Sequence, residues 1–250
     1  MNDIQFVLYT TLHKCVSNGK DNSAMSYSRS KGRPTKPLVT REKIAKAALT
    51  IVRDEGYKRL TMSRIASFLE VRPSALYHHV SGKEDLLALI EDEVMKQVSC
   101  ESLNSALSGQ LSPGEALYQW AESYRDIFAQ HIPLIRLIAT TPISGSPFTM
   151  RMYDLVAQVF TVAGVQNELV VPRIIMLESF IYGSAYDVHA PSDIFDTPLD
   201  GITPVHTIAN AKAAFVQSTS TVNSDSGANP YAELPFQLGL KALLADLLED

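Results

Sequence analysis

The chain has 250 residues, 46% of them hydrophobic, which is enough for one large helical unit or two small ones around a sizeable core. Its formal charge of −5 hides a split: residues 1 to 83 hold 15 Lys and Arg against 6 Asp and Glu, whereas residues 84 to 250 hold 7 against 21. A basic head on an acidic body attracts a polyanion at one end only.

Two cysteines, Cys15 and Cys100, stand without a CxxC pair or zinc-type His spacing, so neither a disulfide framework nor a metal site is expected, and no cofactor motif is present. This usage fits a reducing cytoplasm. No apolar run is expected to reach the roughly 20 residues of a membrane span. The opening MNDIQFVLYTTLHK is too short in apolar residues for a signal peptide.

Residues 1–38 are polar and rich in Ser, Lys and Asn, and read as a disordered basic extension. Met25 opens MSYSRSKGRPTK, an alternative start. Arg33, within Gly32-Arg33-Pro34, is a candidate for an adjacent minor groove; the alternative is a solubilising tail. A first helix is predicted from Thr40 to Gly56, with Ile44, Ala47, Ala48 and Ile51 inward.

The stretch from 57 to 87, YKRLTMSRIASFLEVRPSALYHHVSGKEDLL, has the pattern of a helix-turn-helix. Thr61 is an N-cap for a helix over 62–69, on which Met62, Ile65 and Leu69 recur at helical spacing. Glu70, Val71 and Arg72 make the turn, and Pro73 suits the first position of the second helix. There Leu76 and Val80 face the core, leaving Arg72, Ser74, Ala75, Tyr77, His78 and His79 outward. These types donate to base edges or phosphates, or touch a thymine methyl. Lys83 opens the next helix, with Glu84 and Asp85 against its dipole.

Residues 40 to 87 closely resemble the DNA-binding domain of the TetR family of bacterial transcriptional regulators. The resemblance lies in TREKIAKAALTIVRDEG, LTMSRIASFLEV and SALYHHVSGKEDLL. It implies an all-α fold: a three-helix DNA-binding domain over 39–84, then a helical ligand-binding and dimerisation domain over 85–250. It carries DNA contacts onto Thr61, Met62, Ser63 and Arg64, onto Arg72, Pro73, Ser74, Ala75, Tyr77, His78 and His79, and onto Lys83. It further implies a homodimeric repressor on double-stranded operator DNA, released by a small-molecule effector. One departure stands out: the family usually has Gly after the second helix, in a left-handed conformation, where this chain has Glu70.

Downstream, a helix over 83–99 carries Leu86, Leu87, Ile90 and Val94. Ser112-Pro113-Gly114-Glu115 is a capping box for a helix lined by Leu117, Trp120, Ala121, Tyr124, Ile127 and Phe128. Shorter or longer helices are predicted over 131–140, from Ser146-Pro147, over 167–189, over 207–217 and over 235–248. Residues 190–206 and 218–230 read as loops.

A pocket is expected among the central helices, with candidate lining residues Trp120, Tyr124, Phe128, Met152, Phe160, Phe180 and Tyr182 and polar anchors His131, Arg136 and Glu178. The alternative is that such residues are core. The resemblance implies a dimer through 167–189 and 235–248, with the small patch at Gly183 and Ala185 and a leucine stripe including Leu244. A body that binds another protein instead of a small molecule is a second reading. An enzyme assembled from Ser184, Asp187 and His189 or His206 is a third, but no nucleophile elbow, phosphate loop or HExxH supports it.

Overall fold

The computed structural model describes residues 39–191, 193–196, 205–220 and 229–248, and every regular element among them is helical, as expected. Helix α1 (Arg41–Glu55) begins where the Thr40 hydroxyl accepts from Lys43 N at 3.1 Å, and ends at Gly56, whose φ is 85°. Its buried side, Ile44, Ala45, Ala47, Ala48, Ile51 and Val52, packs on α2 (Met62–Phe68) and α4 (Lys83–Met95). Between these, α3 (Pro73–Leu76) is one turn long and continues as turns to His79. Leu76 and Val80 are buried, so the outward register of this segment is the one its spacing predicts.

Helix α4 leaves the head and enters the body, contacting α7 and α8. From Ala88 to Met95 every residue is buried, Glu91, Asp92 and Glu93 included. The predicted helix over 83–99 stops early, and a separate α5 (Glu101–Leu107) follows. The reason is local: Val98 N bonds Met95 O in a tightened turn, and Ser99 N donates to the Ser123 hydroxyl at 2.9 Å instead of to the helix.

The capping box opens α6 (Pro113–Ala129), with the Ser112 hydroxyl accepting from Glu115 N at 3.3 Å. Next come α7 (Ile132–Ile138) and α8 (Pro147–Val162). Ser146 does not cap α8; its hydroxyl donates to Ala88 O at 3.0 Å, and the Asp92 carboxylate caps α8 from outside, accepting from Phe148 N at 2.7 Å and Thr149 N at 3.1 Å. The linking helix thus holds the start of a body helix.

Helix α9 (Asn167–Asp187) has the length and apolarity of a membrane span, contrary to the expectation from the sequence. Its inner face, Ile174, Leu177, Ile181 and Ala185, is buried in a body where α9 packs on α6, α8 and α11 (Pro230–Leu243). Helix α10 (His206–Ser220) lies between α9 and α11 in the chain.

The last long helix starts at Pro230, five residues before the predicted Pro235. Asn229 explains this: its side chain accepts from Tyr231 N at 3.1 Å and donates to Ala190 O at 2.9 Å, capping one helix and tying it to the chain after α9. A short α12 (Ala245–Leu248) follows. Leu244, expected to face both core and partner, is fully buried in its own subunit. Of the two predicted loops, residues 192, 197–204 and 221–228 lie outside the described residues, as does the extension with Arg33.

Candidate nucleic-acid interface and effector site

In the head, the turn between α2 and α3 is a helix C-cap of the Schellman type. Val71 N bonds Ala66 O at 2.9 Å and Glu70 N bonds Ser67 O at 3.2 Å, with Glu70 at φ 56°. It is the one non-glycine residue with positive φ among the described residues. This turn sets the direction of α3. Arg72, in extended conformation, is its N-cap, and Pro73 takes the first helical position.

Arg72, Pro73, Ser74, Tyr77 and His78 are exposed, while Ala75 and His79 are half-buried. Tyr77 keeps 57% of its surface, unusual for an aromatic ring with no role in the core. On α2, Thr61 and Ser63 are exposed and Met62 and Arg64 half-buried. The Thr61 hydroxyl caps α2, accepting from Arg64 N at 3.1 Å. Arg64 is not a free cation: its Nε bonds Glu55 at 2.9 Å, which holds the Glu55 carboxyl below its usual range.

Lys83 stands exposed as the first residue of α4. A cleft of about 270 Å³ unites Thr61, Met62, Tyr77 and Lys83 over Tyr57, Leu60 and Leu86. Behind it, Arg41 clamps the end of the reading segment, donating to His79 O and to Asp85 at 2.6 Å, while Asp85 accepts from Ser81 N at 2.9 Å. The guanidinium and these donors hold the Asp85 carboxyl down at about 2. No local pattern in the sequence announces this clamp, although Arg41 and Asp85 each stand in the first turn of a helix.

In the body, Trp120, Tyr124 and Phe128 on α6 and Met152 and Phe160 on α8 are fully buried. The rings pack on one another: Tyr124 meets Phe128 edge-on at 4.6 Å, and Phe128 stacks on Tyr182 at 5.4 Å. Three hydroxyls converge on one carboxylate oxygen. Tyr124 donates to Glu178 Oε1 at 3.0 Å, Tyr182 at 2.9 Å, and Tyr153 also bonds it. Burial pushes all three tyrosines up, so they remain protonated donors.

Tyr153 was not anticipated; a tyrosine on α8 at the spacing of Val156 and Phe160 was its only signal. His131 precedes α7, half-buried, and burial depresses its imidazole. Arg136 is exposed on α7 and takes no part in the cluster. Phe180 stacks on Phe236 of α11 at 5.6 Å, away from it.

Residues 44–90 match the family described as bacterial regulatory proteins, tetR family, and residues 111–247 match the tetracyclin repressor-like C-terminal domain. The HTH-type transcriptional repressor DrrR1 of Streptomyces coeruleorubidus is 30% identical over 157 residues, 63% of this chain and 56% of that protein. The chain spans about half to three-fifths of the length of the curated relatives it matches. Among solved structures, ActR from Streptomyces coelicolor, in complex with actinorhodin, superposes with a TM-score of 0.59 at 23% identity, covering 84% of this chain and 97% of that one. BioQ with its double-stranded DNA operator gives 0.55 at 20%, covering 84% and 98%. At these identities the two structures bear on the fold.

Proposed function

Because the chain belongs to the TetR family of bacterial regulatory proteins, we propose that it is a cytoplasmic, ligand-responsive transcriptional repressor that binds an inverted-repeat operator as a homodimer. It acts by binding and not by catalysis. Residues 1–38 serve as a basic extension, 39–84 as the DNA reader and 85–250 as the effector and dimerisation unit.

The observation that carries this reading is the cleft joining Thr61, Met62, Tyr77 and Lys83, beside the exposed Arg72, Ser74 and His78. Hydroxyls and an ammonium around one groove suit a phosphate of the duplex backbone, while Arg72 and Ser74 reach base edges. Arg33 would add a minor-groove contact, and Pro73, Ser63, Ala75 and His79 flank the read bases. Arg64 contributes only if its Glu55 partner is displaced. In the body, Trp120, Tyr124, Phe128, Met152, Phe160, Glu178 and Tyr182 form the effector site, with His131 and Arg136 at its margin.

One short reading helix covers too few base pairs for tight recognition, so two heads are needed. The dimer contact runs over the outer faces of the packed pair α9 and α11, where Val171, Ile175 and Leu238 each expose more than half of their surface. Gly183 is exposed there with no described residue near the position of a Cβ, open to close approach. BioQ was solved on its operator and ActR with actinorhodin; the same two kinds of partner are proposed here. An effector favouring one spacing of the heads lowers operator affinity by its differential affinity for two conformations.

Salt-titrated binding to an operator and to scrambled DNA tests the reader. Lys83→Ala should weaken both DNAs alike and reduce the salt slope by about 1, whereas Arg72→Ala should change base preference. Footprints should cover two half-sites about 34–36 Å apart or a multiple of a turn. A protein whose binding neither substitution alters does not read DNA through this face.

A further inference from the structure

The body holds two carboxyl groups, one buried and one half-buried, without a positive partner among the described residues. Glu178 Oε1 accepts all three tyrosine hydroxyls, and its other oxygen accepts no hydrogen bond among the described residues. Across the core Glu91 is buried on α4, bonded through Oε2 to the Ser146 hydroxyl at 3.3 Å. Among the described residues no Lys, Arg or His forms an ion pair with either carboxylate. The one buried guanidinium of α6, Arg125, is turned to Asp126 and Glu233 and lies over the Phe236 ring at 4.2 Å. The Glu91 carboxyl is pushed up to about 7 by burial, with Asp92 and Glu178 adding to the shift.

The walls have the same preference. Trp120, Tyr124, Phe128 and Tyr182 form a chain of ring contacts between 4.6 and 5.4 Å in the first three, and aromatic faces attract cations. Independently of the carboxylates, the indole N–H of the fully buried Trp120 has no acceptor among the described residues. A core selected only for packing would place Phe there, because a buried donor without a partner is costly. An incoming molecule with an ether or carbonyl oxygen would satisfy it.

The cluster is not sealed throughout: Tyr153, Glu178 and Tyr182 are half-buried, whereas Tyr124 is fully buried. Turning Tyr153 and Tyr182 outward removes two of three donors from Oε1 and leaves a carboxylate that only a cation or another donor can satisfy.

We propose that Glu178 and its tyrosine cage recognise a lipophilic organic cation, with Trp120 donating to an oxygen of the same molecule. This rests on the reading of the chain as effector-responsive and names the chemical class of that effector. A carboxylic or other anionic effector is disfavoured by the carboxylate and by the ring faces alike. Binding at this place couples to the head through α4, since its Asp92 caps α8, the helix that carries Tyr153.

Trp120 is the only tryptophan of the chain, so its emission reports the site directly. The full-length protein is titrated with tetraphenylphosphonium and, separately, with tetraphenylborate, two ions of one shape and opposite charge. Saturable quenching by the cation is expected, with the anion weaker by at least about tenfold. Glu178→Gln keeps an acceptor oxygen for the tyrosines but removes the charge; its melting temperature should be maintained and its affinity for the cation should fall by at least about tenfold.

Equal responses to both ions, absence of saturation by the cation, or an unchanged affinity in the folded Glu178→Gln protein would each overturn the proposal and leave the tyrosines a purely structural lock. Operator binding is read on the same samples. Failure of cation binding in a protein that recognises its operator sinks the ligand class alone, while cation binding in a protein with no operator sinks the regulator reading and keeps the ligand class.

Discussion

The head and the body keep their polar groups in opposite places. In the head, Thr61, Arg72, Ser74, Tyr77, His78 and Lys83 stand on the surface, and the interior from Ile44 to Leu86 is apolar. In the body, Glu91, Asp92, Arg125 and the Glu178 cluster are wholly or partly withdrawn from water. A surface group can be exchanged for another of different specificity with little effect on stability. A buried one is held by its partners, so its substitution alters the fold or the coupling between helices. This difference fits a division between reading and sensing.

The sharpest test of the contrast uses two leucines on the last helices. Leu244 is fully buried, so Leu244→Glu places an unpaired carboxylate in the core and should unfold the subunit, at a cost of more than about 4 kcal/mol. Leu238 keeps 60% of its surface, and Leu238→Glu should leave a folded chain with a melting temperature shifted by little. If α11 forms the dimer contact, this second variant is a monomer that retains weak non-specific DNA binding and loses operator recognition. Light scattering with circular dichroism separates the outcomes; a folded Leu244→Glu protein would contradict the placement of the core.

Next in size is the pH dependence of Glu91. Its folded value of about 7 lies above that of an ordinary glutamate near 4.5, so the folded state holds the proton more tightly. The stability from this group is complete below the unfolded value and is lost as pH rises through about 7, a loss of at most about 3 kcal/mol. Glu91→Gln should abolish that part of the slope and melt higher than the parent at pH 8, with a smaller difference at pH 4.5. A parent more stable than the variant at pH 8 would mean that an ionised Glu91 is welcome in the core.

Asp92→Ala acts on the same helix through a different mechanism. It removes the acceptor for Phe148 N and Thr149 N at the start of α8 and should cost about 2 kcal/mol at neutral pH. Asp92→Asn retains one oxygen and should recover part of the loss. Equal melting of the parent and the alanine variant would show that water caps α8 as well as Asp92 does.

The head was more legible in the sequence than the body, for a physical reason. Its helix ends are marked by residues that act within four positions of themselves: Thr40, Thr61, Pro73 and Gly82-Lys83. The body is organised by pairs distant in the chain, such as Asp92 with Phe148 and Arg125 with Glu233, which no local pattern announces. The start of α11 was misplaced because Pro235 and Pro230 give the same local signal, and only the reach of Asn229 to Ala190 decides between them. Likewise Tyr124, Glu178 and Tyr182 were singled out as separate candidates, but their convergence with Tyr153 on one oxygen became visible only in the packed helices.

The smallest effect concerns backbone alone, and it compares the two regions within one motif. Three helices, α2, α5 and α8, end in the same pair of reversed hydrogen bonds, with a left-handed residue after the cap: Glu70 at φ 56°, Gly109 at 74° and Gly164 at 81°. At this turn the body places glycine, whereas the head, which has Gly56 at positive φ after α1, places Glu70. A side chain in this region costs about 1–2 kcal/mol, offset in part because glycine loses more freedom on folding. Glu70→Gly should therefore stabilise the chain by up to about 1 kcal/mol, raising its melting temperature by roughly 2–4 °C. Gly164→Glu should lower it by a similar amount, since no described residue lies near the Cβ position there and the backbone preference is what changes. If Glu70→Gly melts below the parent while Gly164→Glu behaves as expected, the Glu70 side chain contributes more to the head than its exposed position accounts for, and the two turns are alike in shape only.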